Sequence, residues 1–192
     1  MYAAIVEGQK LTFGVAGVWR RNMVIRDRET GTVWQQATGE AIAGPLKGKQ
    51  LTLVGGSLGK WGMWAGQHPD GILGTEPDPP APNLLSVDGM VKMFSGTDRF
   101  AGPGLAARDD HRLPAHEIVI GVVADGVARA YPLAVVRKLG EISDTLGGKM
   151  VTIIYHPEGD TVTVQGESST LQMERGWWLG WSEFHPDTDI FS

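Results

Sequence analysis

The chain contains no cysteine, and this absence removes several classes of function. Without thiols there is no disulfide, no thiolate nucleophile and no zinc–thiolate site. Lysine and arginine form no basic stripe and the net charge is −5, which argues against nucleic acid as a partner. The lack of a basic amphipathic stretch argues in the same way against an anionic membrane surface.

Long apolar runs are also missing. No run approaches the roughly 20 residues that a membrane-spanning helix needs. The first residues, MYAAIVEGQK, have neither the charged start nor the long apolar core of a secretion signal. We therefore expect the chain as given to be cytoplasmic, although a parent protein that had lost its leader would look the same.

What the chain does contain is typical of a β-rich globular protein. It has 192 residues, enough for one domain or two small ones, with 42% hydrophobic and 20% charged residues. Its 27 glycines separate short runs rich in valine, isoleucine, threonine and aromatics, as in strands joined by tight turns. In the first third, strands are predicted at residues 2–6, 10–15, 22–27, 32–36 and 50–54, with a hairpin turn at residues 29–31.

The second half shows a similar pattern after a proline-rich segment. We predict a strand over residues 117–123, then a strand and short helix bounded by Pro132 and Gly140, then a hairpin around HPEGD. The predicted organisation is a first β unit at 1–73, a connection at 74–108 and a second β unit at 109–192. The expected fold class is mainly β (α+β): two related units of short antiparallel strands in barrel-like or sandwich packing, each with a Trp-rich helix.

The pattern W-x-x-W-x-x-x-H-P-D occurs twice, at residues 61–70 and 178–187. Its spacing places Trp61, Trp64 and His68 on one helical face, and Pro69 ends that helix. One interpretation is a metal site between the repeats. Its ligands would be His68, Asp70, His185 and Asp187. The other is structural, with tryptophans that pack the helix, a histidine that caps its carbonyls and a Pro-Asp turn. We favour the structural interpretation because helical aromatic stripes usually face a core.

The stretch GGSLG, residues 55–59, matches G-x-S-x-G between a predicted strand and a predicted helix. That context suits a nucleophile elbow in which Ser57 attacks a carbonyl. Partners for a triad would be His68, His156 or His185 together with Asp144 or Asp187. The alternative is that Ser57 caps the helix, and the lack of alternating strands and long helices argues against an α/β-hydrolase fold.

The densest group of potential ligands lies in RDDHRLPAHE, residues 108–117. Its members are Asp109, Asp110, His111, His116 and Glu117. Carboxylate oxygens suit Ca²⁺ or Mg²⁺, although no EF-hand spacing is present. The alternative is a solvated loop in which Asp110 and Arg112 stabilise a turn.

Three shorter motifs carry less information. His156, Glu158 and Asp160 share a hairpin tip, YHPEGD, which could face a substrate or form a plain polar turn. DRETGTVW is expected to hold its turn by an Arg–carboxylate pair. GPLKGKQ is one residue short of a P-loop and lacks the following hydroxyl, and no dinucleotide fingerprint occurs.

Several long motifs resemble the bacterial family known as domain of unknown function 3179. They are LTFGVAG, VIRDRETGTVWQQATGEAIAGPLKGKQLTL and WGMWAGQHPDGIL in the first half, and DDHRLPAHEIVIGVVADGVARAYPLAVVRKLGEISDTLGGKMVTIIY and WLGWSEFHPDTDIF in the second. The resemblance implies a shortened member that lacks a leading Cys-Pro-x-Cys unit. It implies architecture and no activity, and members of the family could be exported. If the missing unit pairs with the first strands, they present an open edge, and we expect a homodimer there.

These observations leave three functions open. The best specific hypothesis is a hydrolase of small esters or lactones, dependent on Ca²⁺ or another divalent cation. Its catalytic residues would be Ser57, Asp110, His111 and His116, and its metal ligands Asp109, Asp110, His111, His185 and Asp187. The alternatives are a non-catalytic module that binds a small molecule or a carbohydrate, and an assembly domain.

Overall fold

The computed structural model describes residues 1–20, 22–54, 58–74, 110–168 and 171–192. Within this part the chain is mainly β, with thirteen strands and three helices, as the sequence predicts. The sheets are open and packed in a sandwich-like way, so sandwich packing describes them better than a barrel. Ser57, Asp109 and most of the predicted connection lie outside the described residues. None of the described helices is long and apolar enough to cross a membrane.

The N-terminal unit consists of a small hairpin and a four-stranded antiparallel sheet. The hairpin pairs β1 (Ile5–Val6) with β2 (Gln9–Lys10). The sheet has the chain order β3 (Phe13–Trp19), β4 (Asn22–Asp27), β5 (Val33–Gln35) and β6 (Ala41–Ala43). Its core contains Trp34, which is fully buried and packs with Val6, Leu11, Ala41 and Leu51.

The predicted β4–β5 hairpin is confirmed, but a buried carboxylate rather than an Arg–carboxylate pair holds its turn. Asp27 accepts hydrogen bonds from the backbone N–H of Thr30 and Gly31, from the Thr30 hydroxyl and from Trp34 Nε1. Gly31 supplies the left-handed conformation that the turn requires, with φ of 73°. Turn chemistry within five residues explains why this hairpin could be predicted.

The strand predicted over residues 50–54 is wrong. Gln50 and Leu53 form only isolated bridges, to Glu40 and Tyr2 respectively. This segment changes partner along its length, because the Leu51 N–H bonds to the Gly39 carbonyl while the Val54 N–H bonds to the Met1 carbonyl. No continuous ladder can form, and the first residues of the chain find a partner within the same chain. Dimerisation at that edge stays a prediction.

The C-terminal unit packs two sheets around a common core. Its strands are β7 (Ile118–Ala124), β8 (Val127–Pro132), β9 (Glu141–Leu146), β10 (Lys149–His156), β11 (Thr161–Gly166), β12 (Gln172–Trp177) and β13 (Asp189–Ile190). One sheet has the order β12-β7-β8-β13 and the other β11-β10-β9. Side chains such as Ile120, Val122 and Ile153 fill the space between the sheets, together with Val136 of the helix α2 (Leu133–Leu139).

The opposite face of the β12-β7-β8-β13 sheet carries the last helix, α3 (Trp178–Phe184). Trp178 and Trp181 pack there against Val119 and Ala130. Strand β12 ends at Trp177 and α3 begins at Trp178, so α3 lies next to β12 on this face of the sheet. Strands β9, β12 and β13 were missed in the sequence. The partners of β12 and β13 lie far away in the chain, whereas β9 pairs with the adjacent β10 across the Gly147–Gly148 turn and was a missed local hairpin.

Helix α1 (Trp61–Gln67) confirms the predicted helix and its end before Pro69. It contacts the tip of the β10–β11 hairpin in the C-terminal unit, where the Lys60 N–H donates to the Gly159 carbonyl at 2.9 Å. Gly59 approaches Thr161 so closely that a methyl group on it would lie 2.4 Å from the threonine methyl carbon. Helix α1, in the first half of the chain, therefore packs against a hairpin of the second half. The predicted domain boundaries stay a prediction.

Candidate functional site

A cavity of about 320 Å³ lies between the N-terminal unit and the α3 side of the C-terminal sheet. We call it the inter-unit cavity. The residues that matter for its chemistry are Tyr2, Asn22, Glu174, Trp181 and His185. They come from the chain start, from β4, from β12 and from the α3 region, so only the folded chain brings them together.

Trp181 forms one wall because the opposite strand leaves room for it. A methyl group at Gly121 of β7 would lie 2.2 Å from the Trp181 ring, so the indole rests directly on the strand backbone. Trp181 Nε1 donates to Thr188 Oγ1 at 3.0 Å, and the His185 ring stacks on the indole at 3.9 Å between centroids. Strand, indole and imidazole thus form three layers that fix the position of His185.

Glu174 lies directly beside this stack. It pairs with Gly121 across β12 and β7, and opposite residues in an antiparallel pair share a face of the sheet. Burial raises the pKa of Glu174, and burial lowers the pKa of His185. Both shifts favour the uncharged form of the side chain. Glu174 is exposed on β12, and His185 is half-buried.

The N-terminal unit supplies the facing polar groups. The Tyr2 hydroxyl donates to the Ala37 carbonyl at 2.7 Å, and burial followed by the charge of Glu174 raises the pKa of Tyr2. Asn22 Oδ1 is buried and has no hydrogen-bond partner among the described residues. A buried acceptor without a donor costs about 1–3 kcal/mol, so this oxygen is suited to receive a donor from a bound molecule.

A clamp next to the cavity joins the two units. The Arg20 guanidinium donates to Glu183 Oε1 at 2.9 Å and to the Glu183 carbonyl at 2.5 Å. It also lies over the rings of Trp19 and Phe184, at 5.5 and 5.1 Å from their centroids. Arg20 adopts a left-handed backbone conformation with φ of 50°, which is uncommon for a residue with a side chain. These contacts hold β3 against the end of α3.

The loop that was predicted as a metal site contacts α3 through its described residues Asp110 and Arg112. Asp110 pairs with Arg112 at 2.6 Å, which confirms the alternative of a turn-stabilising pair, and the Arg112 hydrogen bond is the main cause of the lowered pKa of Asp110. Arg112 also donates to the Thr188 carbonyl at 2.7 Å and lies over the Trp178 ring. Trp178 Nε1 in turn donates to the Asp110 carbonyl.

Of the predicted site residues that the structure describes, only His185 lines the inter-unit cavity. His111 and Asp187 are exposed, and His116 is buried with its ring edge-on to Trp177 at 4.7 Å. Among the described residues no group of three or more histidine, aspartate or glutamate side chains is arranged to hold a metal ion. Asp109 and Ser57 fall outside that part of the chain, so the metal site and the serine nucleophile stay predictions.

The candidate triad partners have structural contacts. Asp144 accepts hydrogen bonds from Arg129 at 2.6 Å and from Tyr131 at 2.7 Å, which ties the two sheets of the C-terminal unit together. His156 Nε2 lies 2.9 Å from Thr163 Oγ1. His68 lines a different cavity from His185, beside α1.

The two motif histidines end their helices through the backbone rather than through the imidazole. The N–H of His68 bonds to the Trp64 carbonyl and the N–H of His185 to the Trp181 carbonyl, both at 2.9 Å. The packing interpretation of the tryptophans is confirmed for α3, where Trp178 and Trp181 are buried. For α1 it is wrong, because no residue of that helix is buried. Among the described residues, α1 contacts the tip of the β10–β11 hairpin rather than the face of a sheet.

Sequence reasoning missed Tyr2, Asn22 and Glu174. Glu174 stands in QMERGW, a polar stretch without alternation, and a single glutamate there gives no sign that it faces a cavity. Tyr2 and Asn22 belong to strands that looked ordinary. Their proximity depends on contacts between residues more than 150 positions apart, such as Arg20 with Glu183.

Comparison with known proteins agrees with the sequence motifs. A family model described as "Protein of unknown function (DUF3179)" matches residues 1–174. No curated protein matches the chain, and no solved structure matches it. The expected absence of a leading Cys-Pro-x-Cys unit stays a prediction. The match spans most of the 192 residues, and the chain therefore belongs to the DUF3179 family of proteins of unknown function.

Proposed function

We propose that the protein binds a small uncharged molecule in the inter-unit cavity. The observation that carries this proposal is the unpaired, buried Asn22 Oδ1 in a cavity that also contains Glu174 and His185. Cavities that bind small molecules typically combine apolar and aromatic walls with a few convergent polar groups. Trp181 and Leu53 provide such walls here, and the shifts of Glu174 and His185 favour a ligand without charge.

Hydrolysis of a small ester or lactone is the second candidate function. It is favoured by the presence of Glu174 and His185 in the lining of one cavity. The pKa of the carboxyl group is raised and that of the imidazole is lowered, which suits these groups to act as general acid and general base. In this reaction His185 takes a proton from water as the water oxygen attacks the carbonyl carbon. Glu174 gives its proton to the departing alkoxide as the carbon–oxygen bond breaks.

The binding proposal is tested with a library of uncharged fragments, by saturation-transfer NMR on the whole chain. We expect saturable binding of at least one fragment, and an affinity about tenfold lower in Asn22→Ala, because the acceptor for the ligand is lost. Glu141→Gln, on the exposed face of β9, is the control and should bind as the unchanged protein does. Absence of saturable binding, or binding that Asn22→Ala leaves intact, would contradict the proposal.

The hydrolase candidate is tested with chromogenic esters and lactones, with calcium, with a chelator, and with four variants. Glu174→Gln and His185→Gln should each lower turnover at least about 100-fold, the range for loss of a general acid or base. Turnover lost with chelator or in His111→Gln would instead favour the predicted metal site. Turnover lost only in Ser57→Ala would favour the serine nucleophile.

A further inference from the structure

Helix α1 presents a stack of aromatic rings to solvent. Trp61 is 55% exposed, and its ring stacks on Trp64 with centroids 5.3 Å apart and planes 26° apart. The His68 ring continues the row at 4.9 Å from Trp64. Large aromatic surfaces are seldom left exposed without a binding role.

The stack forms one wall of a cleft whose other wall is the β10–β11 hairpin. We call it the α1 cleft. Met63 holds the helix against the hairpin tip, since a methyl group on Gly159 would lie 2.8 Å from its sulfur. The tip itself is fixed, because the Asp160 carboxylate accepts hydrogen bonds from Arg137, Arg175 and Tyr155. These contacts therefore fix the position of helix α1 relative to the β10–β11 hairpin.

The rim of the α1 cleft is polar and mixed in charge. His156, Thr161 and Thr163 line it on the hairpin side together with Glu158, and Lys60 and Gln67 line it on the helix side. These groups include hydrogen-bond donors and acceptors, with one carboxylate and one ammonium group of opposite charge. Such a rim suits a ligand that carries many hydroxyl groups and no net charge.

We propose that the α1 cleft binds a neutral saccharide. A pyranose ring has a flat face of C–H bonds that can rest on an indole, and a rim of hydroxyls that can bond to the polar groups of the hairpin. Trp64 stacks against one face of Trp61, so a ligand can rest on the opposite face of the exposed Trp61 indole, whereas a quaternary ammonium ligand is bound by rings that enclose it from several sides. The net charge of −5 disfavours a nucleic acid, which could also stack on an indole.

The test is affinity electrophoresis and calorimetry of the whole chain with soluble xylan, galactomannan, mixed-linkage glucan and dextran, and with tetramethylammonium and an oligothymidine strand. We expect saturable binding to at least one of the four polysaccharides. Trp61→Ala should weaken it about tenfold, and His156→Ala should also weaken it. Trp19→Ala is the matched control, because Trp19 is 47% exposed on β3 and does not line the cleft.

Thermal denaturation of each variant shows whether it is folded, and a partly destabilised Trp61→Ala is replaced by Trp61→Gln. The inference is overturned if none of the four polysaccharides binds, or if binding is equal in the unchanged protein and in both Trp61 variants. It is also overturned if tetramethylammonium or oligothymidine binds in a Trp61-dependent way while the polysaccharides do not. Because no described residue lines both the inter-unit cavity and the α1 cleft, Asn22→Ala should leave saccharide binding unchanged.

Discussion

Helices α1 and α3 carry the same W-x-x-W-x-x-x-H-P-D pattern and have the same local geometry, yet their surroundings are opposite. The residue that ends each helix, His68 or His185, has φ of −128° and ψ within 2° of the other. Trp178 and Trp181 of α3 are buried, whereas no residue of α1 is. The pattern thus specifies a helix and its termination, and other residues decide whether the helix is covered.

Positions within the pattern and directly after it explain the difference. Glu183 of α3 bonds to Arg20, while the equivalent position in α1 is Gly66. Thr188 accepts a hydrogen bond from the Trp181 indole, and its equivalent is Gly71, whose added methyl group would lie 2.3 Å from the Trp64 ring. The α3 copy therefore gains side-chain contacts to several other elements, whereas among the described residues the α1 copy contacts the tip of the β10–β11 hairpin.

The largest test of this difference removes the second tryptophan of each copy. Trp181→Ala should lower the free energy of unfolding by about 3–5 kcal/mol, because it empties a buried site between α3 and β7. Trp64→Ala should lower it by less than about 1 kcal/mol, since the ring is partly exposed. Urea denaturation of both variants measures the difference, and equal losses would show that burial does not separate the two helices.

A smaller effect is expected from the clamp, which has no counterpart in α1. Arg20→Ala leaves the buried Glu183 carboxylate without its cation and should lower the free energy of unfolding by about 2 kcal/mol. Lys49→Ala removes an exposed pair with Glu7 and should change it by less than about 0.5 kcal/mol. If the two variants unfold at the same urea concentration, the clamp does not stabilise the contact between the units.

The smallest expected effect is a pH-dependent change in stability caused by Glu174, which lies beside α3. The folded pKa of Glu174 is raised above its ordinary 4.5, so its contribution to stability is present below that value and is lost as pH rises through the folded pKa. At pH 7 Glu174→Gln should therefore raise the melting temperature by a few degrees at most, and near pH 4 the gain should disappear. Circular dichroism at both values measures this, with Glu141→Gln as control. A gain of the same size at both pH values would mean that the charge of Glu174 is not the cause.

The parts of the fold that sequence reasoning predicted are those determined by neighbouring residues. Asp27, Thr30 and Gly31 build their turn within five positions, and Trp61, Trp64 and His68 define a helix by spacing alone. Strand β12 was missed because its ladder to β7 joins residues about 50 positions apart in the sequence. A polar segment such as this one forms a strand because it pairs with a buried strand, which here is β7.

The candidate site was predictable only in part, for the same reason. His185 was identified because it belongs to a repeated pattern. Glu174 and Asn22 belong to no pattern, and only tertiary contacts bring Glu174 beside Trp181 and bury the Asn22 Oδ1 atom. Gly121 was a possible signal, since a glycine inside an apolar strand indicates a close approach by another group, and that group is Trp181.

The contact between Arg20 and Glu183 spans 163 positions of the sequence. During synthesis the N-terminal sheet leaves the ribosome long before Glu183, which bonds to Arg20, has been added. Trp181 and His185, which form a wall of the inter-unit cavity, are also synthesised at this late stage. Until then the apolar and aromatic surfaces that later face each other are open to other chains, which is the interval in which chaperones act on slowly completed topologies. Yield of folded protein should thus be more sensitive to the rate of synthesis than the stability of the finished molecule suggests.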